Sequence, residues 1–424
     1  MLINQMTRKL SAIKLHENSQ KNQIIKNKLN KDFFLKYQAQ TTPNPLALEI
    51  SHAQGSYIFD INNNKYLDFI AGVSACSLGH KNPVVIEAIK NQLDKYHHVM
   101  VYGEFIQKPS LDLTMLLAEF LPKKINKTYL TNSGTEAIDG ALKLARRYTG
   151  RSEIFAAKKA YHGNTIGALS VMGYEERKNP FRPLLPGIRF INFNSKNDIK
   201  KITSKTAAVI LETIQGGAGF IQPVNDYLNI IQKRCNEVGA LLILDEIQPG
   251  FGRTGKLFGF ENYNCTPDIV VFGKGLGGGM PIGGFSSSEK IMDSLSFEPI
   301  LGHITTFGGH PVIAAAALAT LKEITSSNLI EKTLEKEILI RSKLKHKLIK
   351  EIRGKGLMLC LILIESDLAN ELVMRAKKNG LILFWLLYEP KAVRITPPMT
   401  ISIKEIEEGC NTILNILDDI QNEC

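Results

Sequence analysis

Asp268-Ile269-Val270-Val271-Phe272-Gly273-Lys274-Gly275-Leu276-Gly277-Gly278-Gly279-Met280-Pro281 is the stretch that decides how this chain is read. An apolar run, Ile269 to Phe272, leads into a lysine, and a glycine cluster follows. The pattern predicts a buried strand ending in a loop with one amine at its tip. A lysine held by a strand end against crowded backbone is a candidate Schiff-base nucleophile. The plain alternative is a surface lysine in a flexible loop, and only the neighbouring motifs separate the two. The glycines at 278–284 are expected to turn the backbone tightly around the lysine.

Working outward, Ala240–Leu244 predicts a second buried strand, which ends at Asp245-Glu246. Ligands of parallel sheets sit beyond the carboxyl ends of the strands, so Asp245 and Lys274 would face one crevice if their strands are near. A carboxylate and a lysine there suit pyridoxal phosphate, with the carboxylate keeping the ring nitrogen protonated. The alternatives for the acidic pair are a helix cap or a metal site. Further upstream, Asn132-Ser133-Gly134-Thr135-Glu136-Ala137 opens a helical stripe of Ala137, Ile138, Ala141, Leu142 and Leu144. Its N-terminus offers free N–H groups and a partial positive charge to a phosphate. Ser133 and Glu136 also read as a capping box, which does not exclude the phosphate site. Tyr161-His162-Gly163 adds an aromatic that could stack on a pyridine ring.

In this order the motifs resemble those of the class III aminotransferases, a branch of the fold-type-I pyridoxal-phosphate enzymes. The likeness runs from about Pro43 to Leu414 and takes in Gln248, Gly250-Phe251-Gly252-Arg253-Thr254-Gly255 and Thr305-Thr306-Phe307-Gly308-Gly309. The nearest look-alikes are acetylornithine, ornithine and succinyldiaminopimelate aminotransferases. The resemblance implies that Lys274 holds the cofactor and shuttles a proton, and that Asp245 pairs with the pyridinium nitrogen. It implies that Gln248 binds the ring hydroxyl, that Gly134 and Thr135 bind the phosphate beside Ser133, and that Tyr161 stacks on the ring. His162 and Glu212 complete the cofactor set. Thr306 would reach the phosphate of a neighbouring subunit, making a homodimer with shared active sites. Arg394 would take the substrate carboxylate as a bidentate fork, with Asn164 and Thr305 also on the substrate side.

Two departures from the family pattern stand out. Members that use glutamate often carry an arginine where this chain has Asn164, and many carry a glutamate where it has Gly217. Neither residue can pair with a carboxylate or with Arg394. Both changes put the usual 2-oxoglutarate and acylated-ornithine pocket in question.

Composition sets the outer limits. The 424 residues suffice for a two-domain enzyme, and 44% hydrophobic with 22% charged residues is ordinary for a soluble chain. No apolar stretch nears the roughly 20 residues of a membrane span, and the start has no signal-peptide core. Net charge is +11 and pI about 9.2. The excess is mostly scattered lysine, much of it in residues 1–36 and 332–355, which argues against a nucleic-acid surface. Six cysteines (76, 235, 265, 360, 410 and 424) show no CxxC spacing, and no His/Cys cluster has metal-ligand spacing. A reducing, cytoplasmic location without metal is therefore expected.

The expected fold is α/β: a large domain with a mainly parallel, helix-covered sheet, plus a smaller α+β domain built from both chain ends. Residues 1–36 read as an arm, 37–75 and 321–424 as the small domain, and 76–320 as the cofactor domain. Strands are expected at 127–131, 153–157, 188–192, 207–212, 240–245 and 268–273. Asn62-Asn63-Asn64 marks a hairpin between 56–60 and 65–69. Beyond residue 320, a helix over 321–350, a strand over 353–364, a helix over 371–378, strands at 381–387 and 392–395 and a helix over 403–419 are expected.

The leading functional expectation is a ping-pong transaminase. It would move an amino group between an ornithine-type amino acid (N-acetylornithine, ornithine or succinyldiaminopimelate) and a 2-oxo acid, in arginine or lysine biosynthesis. The runner-up is an ω-amine or ω-amino-acid transaminase using pyruvate, for which Asn164 and Gly217 speak. An aminomutase is the third reading. A phosphate-binding module without catalysis fits poorly, because no Ser or Thr follows Lys274 as Walker spacing requires. Tyr102, Phe105 and Trp385 are candidates for the distal pocket, and His303 and His310 are expected to pack rather than ligate.

Overall fold

The computed structural model describes residues 30–423, so most of the expected arm, residues 1–29, lies outside the described residues. The chain falls into two units. One comprises the described residues up to Ala53 with Ile58–Lys65, the other Gln54–Tyr57 with Tyr66 onward. In the first unit residues 30–37 are helical, and Asn30 Nδ2 donates to Glu49 Oε1 at 2.7 Å. Strands β1 (Ile50–Gln54), β2 (Tyr57–Asp60) and β3 (Lys65–Asp68) follow in the chain; Gln54, Tyr57 and Tyr66–Asp68 among them belong to the second unit. The expected hairpin turn is held by Asp60, whose carboxylate accepts from the Asn62 and Asn64 amides at 2.9 and 2.8 Å.

The second unit is built on a seven-stranded sheet of β4 (Lys127–Thr131), β5 (Glu153–Ala157), β6 (Ile188–Ile191), β7 (Thr206–Glu212), β8 (Leu241–Asp245), β9 (Ile269–Gly273) and β10 (Gly283–Ser287). The order is β4-β10-β9-β8-β7-β5-β6, and β10 is antiparallel to both neighbours while β9 through β6 are parallel. Every residue of β7, β8 and β9 is buried, as expected where helices cover both faces of a parallel sheet. The six strands expected here all form, each within a residue of its expected limits.

β10 was not foreseen. Its first residues, Gly283 and Gly284, fall in the segment expected to turn around the lysine. These glycines serve close packing instead. A Cβ on Gly283 would stand 2.1 Å from the Ser133 carbonyl oxygen, and one on Gly284 would stand 2.5 Å from the Phe272 ring. Only backbone fits between β4 and β9 at that level.

A second sheet holds β11 (Ile349–Lys355), β12 (Met358–Leu363), β14 (Phe384–Trp385) and β15 (Ala392–Ile395), antiparallel in the order β11-β12-β15-β14. The two-residue β13 (Leu381–Ile382) pairs instead with Leu67 and Asp68 of β3. The expected strand 381–387 is thus two strands in two sheets, separated at the buried Leu383. The expected strand 353–364 is a hairpin. Gly354 and Gly356 take φ of +99° and +61° at its turn, and a Cβ on Gly354 would strike the Met358 carbonyl oxygen at 1.9 Å. The expected helix 321–350 is two helices, Pro311–Ser326 and Leu329–Lys343, because Ser327 and Asn328 leave helical geometry. Helix Ser366–Lys378 packs on this sheet, and helix Ile403–Glu423 packs on both Leu329–Lys343 and Ser366–Lys378. Among the described residues no helix is long and apolar enough to cross a membrane.

Candidate active site

Three adjacent parallel strands end at one level. Glu212 closes β7 opposite Asp245 on β8, and Asp245 pairs in register with Val271 of β9, three residues before Lys274. β4 ends just before Ser133, the N-cap of helix Gly134–Thr149. The carboxyl ends of the sheet therefore gather a carboxylate pair, an amine and a helix N-terminus around one cavity of about 440 Å³. Gly134, Thr135, Tyr161, His162, Asn164, Glu212, Asp245, Gln248, Lys274, Trp385 and Arg394 all line it.

Asp245 is fixed from two sides. Its Oδ2 lies 2.8 Å from His162 Nδ1, and its Oδ1 accepts from the Ile247 amide at 2.9 Å. The far nitrogen of that ring, His162 Nε2, is buried without a partner. Glu212 braces the loops: Oε1 accepts from the Tyr161 amide at 2.9 Å and Oε2 from the Gly216 amide at 2.8 Å. Burial pushes its carboxyl up to about 7, with His162 opposing the rise and Asp245 adding to it. Glu246, the other half of the acidic pair, turns away. It is wholly buried and accepts from Thr213 Oγ1 and from the Gly259 and Phe260 amides at 2.6 and 2.9 Å. Those three donors occupy it as a loop anchor rather than a metal ligand.

Lys274 leaves its strand with φ +38°, a left-handed conformation that a side chain rarely adopts. The strain aims the amine into the cavity. Burial lowers its pKa, Asp245 opposes the lowering, and Arg394 adds to it. Opposite, Ala71, Gly72, Val73 and Ser74 all have positive φ. This strained loop brings Val73 to the wall and lets Ser74 Oγ accept from Gln248 Nε2 at 3.3 Å.

At the helix start, Ser133 Oγ accepts from the Glu136 amide at 3.4 Å, but Glu136 accepts from the amide of Asn132 at 2.8 Å rather than from that of Ser133, so only the forward half of the expected capping box forms. Ser133 does not line the cavity. Gly134 does, and its missing side chain matters: a Cβ would meet Ile247 Cδ1 at 2.7 Å. Thr135 Oγ1 is 2.8 Å from Thr165 Oγ1. Across the cavity Arg394 is 5% exposed, with Nε and Nη1 unpartnered and its guanidinium 5.6 Å from the Phe220 ring centre. Burial lowers its pKa to about 10, and no carboxylate counters this.

Other residues singled out in the sequence lie elsewhere. Thr305 is a turn residue, accepting from Gly308 N at 2.8 Å and Asn132 Nδ2 at 3.3 Å. Thr306 is exposed, and neither threonine lines the cavity. Of the three distal candidates, Trp385 lines the wall, whereas Tyr102 and Phe105 do not. Sequence reasoning missed Ile247, Phe384 and Leu387, which carry no chemistry to flag them.

A family model described as Aminotransferase class-III matches residues 37–417. This chain is a class III aminotransferase. It is 39% identical over 318 residues to the [LysW]-aminoadipate semialdehyde/glutamate semialdehyde transaminase of Sulfolobus acidocaldarius, covering 74% of this chain and 81% of that one. It is 37% identical over 395 residues to the acetylornithine aminotransferase of Caldanaerobacter subterraneus, covering 90% and 96%. Among solved structures, the ornithine aminotransferase of Toxoplasma gondii superimposes with a TM-score of 0.87 at 29% identity over 94% of this chain and 96% of that one. The aminotransferase accordingly has the pyridoxal-phosphate fold type I and uses pyridoxal phosphate.

The cavity residues fit that cofactor. The class III aminotransferase offers a primary amine on Lys274, a buried carboxylate on Asp245 and a helix N-terminus whose first residue has no Cβ. Buried polar atoms without partners, at His162 Nε2 and Arg394, are what a site built for a polar ligand leaves behind.

Proposed function

We propose that this aminotransferase moves an amino group between an ornithine-type amino acid and a 2-oxo acid in a ping-pong cycle. The ornithine-type class comprises N-acetylornithine, ornithine and succinyldiaminopimelate. The observation that carries the reading is Arg394: a buried guanidinium with two unpartnered nitrogens on the wall that also holds Lys274 and Asp245. An unpaired buried cation of this kind is stabilised by a carboxylate arriving with the substrate. The acetylornithine activity of the Caldanaerobacter relative supports the same substrate class.

In this reading pyridoxal phosphate supplies the electron sink when bound. Lys274 Nζ would hold the cofactor and then carry the proton at the substrate carbon that bears the transferred amine. Its lowered pKa favours the neutral amine that such a base needs. Asp245, oriented by His162, keeps the ring nitrogen protonated. Gln248 takes the ring hydroxyl, Gly134 and Thr135 the phosphate at the helix start, and Tyr161 the ring face. His162 and Glu212 hold these groups in position. Arg394 takes a carboxylate, with Asn164 and Thr305 on the substrate side. A homodimer with shared active sites, completed by Thr306 across the interface, belongs to the proposal, as does a cytoplasmic location. The five cysteines among the described residues are all free, in keeping with a reducing compartment.

A second reading, an ω-amine or ω-amino-acid transaminase using pyruvate, is favoured by Asn164 and Gly217, which offer no cation and no acid. Half-reaction spectra separate the two. Holoenzyme is mixed singly with N-acetylornithine, ornithine, succinyldiaminopimelate, putrescine, glutamate and alanine, and loss of the bound-cofactor band is followed. Conversion by glutamate and an ornithine-type donor supports the first reading. Conversion by alanine and putrescine but not by glutamate replaces it with the second. Net amine transfer to an added oxo acid excludes an aminomutase.

A further inference from the structure

A substrate with a carboxylate far from its reacting carbon needs a cation at the far end of the cavity. Among the described residues, Lys274 and Arg394 are the only lysine and arginine on the wall. The residue filling the place beside Gly217 shows where another is held. A Cβ on Gly217 would stand 2.9 Å from Cδ2 and Cε2 of Tyr388, and the Tyr388 amide donates to the Gly217 carbonyl at 2.9 Å. The Tyr388 ring therefore occupies the volume a side chain at 217 would need.

Tyr388 is 7% exposed, and its Oη has no hydrogen-bond partner. A buried phenol with an unused donor costs stability unless something completes it. Its ring stacks on Tyr174, centres 4.6 Å apart, and packs with Tyr161 on the cavity wall. Onto this platform comes Arg177. Its guanidinium carbon lies 5.6 Å from the Tyr388 ring centre, and its Nη2 donates to the carbonyl of the wall residue Leu387 at 3.4 Å. Among the described residues Arg177 has no ion pair and no other hydrogen bond. Its charge is felt on the phenols of both Tyr161 and Tyr388. The guanidinium is thus exposed beside the wall at Leu387, outside the cavity lining itself, stacked and charged, with most of its donors unused.

We propose that Arg177, carried on the Tyr388 ring, takes the substrate carboxylate remote from the reacting carbon. Glutamate would then span the cavity between Arg394 and Arg177. Asn164, which donates to Tyr161 Oη at 3.2 Å, keeps the phenol beside this path in place. The proposal rests on the ornithine-type reading and adds to it the group that selects dicarboxylates.

The test compares wild-type holoenzyme with Arg177→Gln and Arg177→Lys in two measurements. Calorimetric titration with glutarate, an inert dicarboxylate, reads binding alone. Half-reactions with glutamate and alanine read selectivity. Loss of one charge-assisted pair is expected to weaken glutarate about tenfold or more in Arg177→Gln. The half-saturating glutamate concentration should rise by a similar factor with little change in limiting rate, and the glutamate-to-alanine ratio should fall accordingly. Arg177→Lys should recover part of the loss. Glutarate binding that is absent in wild type, or equal in Arg177→Gln and wild type, overturns the proposal. A wild type that converts neither glutamate nor N-acetylornithine overturns the underlying reading instead, and the glutarate comparison still decides Arg177.

Discussion

Lys274 concentrates the residue-scale argument. Its φ of +38° places a non-glycine residue in a conformation costing on the order of 1–3 kcal/mol, which persists because β9 and the glycines after it leave no other course. Lys274→Ala removes the amine and keeps the backbone. Turnover should fall on the order of 10³-fold or more, while thermal unfolding changes little. Borohydride should fix the cofactor to wild type and not to the variant, as intact-protein mass would register; a fixed cofactor in Lys274→Ala would remove the assignment. A second pair sets a pH dependence. Asp68 accepts from the Ile70 and Ala71 amides at 2.8 and 3.0 Å, and its other oxygen meets His80 Nε2 at 2.7 Å. The bond to Asp68, followed by one from Cys76, pushes the imidazole up to about 10. A raised histidine pKa means the folded state holds its proton more tightly. The stabilisation is therefore complete below the unfolded value near 6.5 and is lost as pH rises toward 10. His80→Gln should unfold at a lower temperature than wild type below pH 6.5, with the gap closing toward pH 10. A gap that does not depend on pH would show that the pair contributes no protonation-linked stability.

At the level of elements, the glycines of β10, between β4 and β9, couple packing to the site. Gly283 opens β10 against the carbonyl of Ser133, the residue that caps helix Gly134–Thr149. Gly283→Ala must push that carbonyl aside, at a cost of about 2 kcal/mol or more by the usual penalty for overpacking. Because the displaced backbone carries the phosphate cradle, cofactor affinity should drop together with stability. Chemical denaturation and cofactor titration of the apoprotein read the two effects. Unchanged affinity in a destabilised variant would separate the sheet from the cradle. The same element marks the limit of what the chain announces beforehand. Strands such as Thr206–Glu212 and Leu241–Asp245 were legible because burial on both faces writes itself as an unbroken apolar run. β10 begins Gly283-Gly284 and ends Ser286-Ser287, so it has no such run, and its glycines read as a turn. Lys274, Asp245 and the helix start were visible because each sits where an element ends. Tyr388 and Arg177 were not, since their meeting depends on a cluster joining residues 161–184 to residue 388, which no local pattern encodes.

At the scale of the whole molecule, the question is what covers the chain's exposed apolar side chains. Single exposed hydrophobics are ordinary and need no explanation. Two short segments carry more than that. Phe105 and Ile106 are 56% and 90% exposed, and Phe297, Ile300 and Phe307 are 66%, 77% and 51% exposed. The ring of His98, a few residues before the first segment, lies 4.9 Å from that of Phe307. Thr306, exposed and outside the cavity, stands within the second segment. A second copy of the chain over these residues would both bury them and give Thr306 a phosphate to bind, which is the dimer proposed above. Replacing Ile300 and Phe307 together by aspartate removes two apolar contacts and adds two charges that burial would penalise heavily. Wild type should sediment as a dimer at micromolar concentration and the double variant as a monomer, with cofactor affinity reduced about tenfold or more. Thr306→Ala, which leaves the apolar contacts in place, should stay dimeric and lose only part of that affinity. If the aspartate variant remains a dimer, these segments are not the interface. If it becomes a monomer that binds cofactor as tightly as wild type, each chain completes its own site and Thr306 has no part in it.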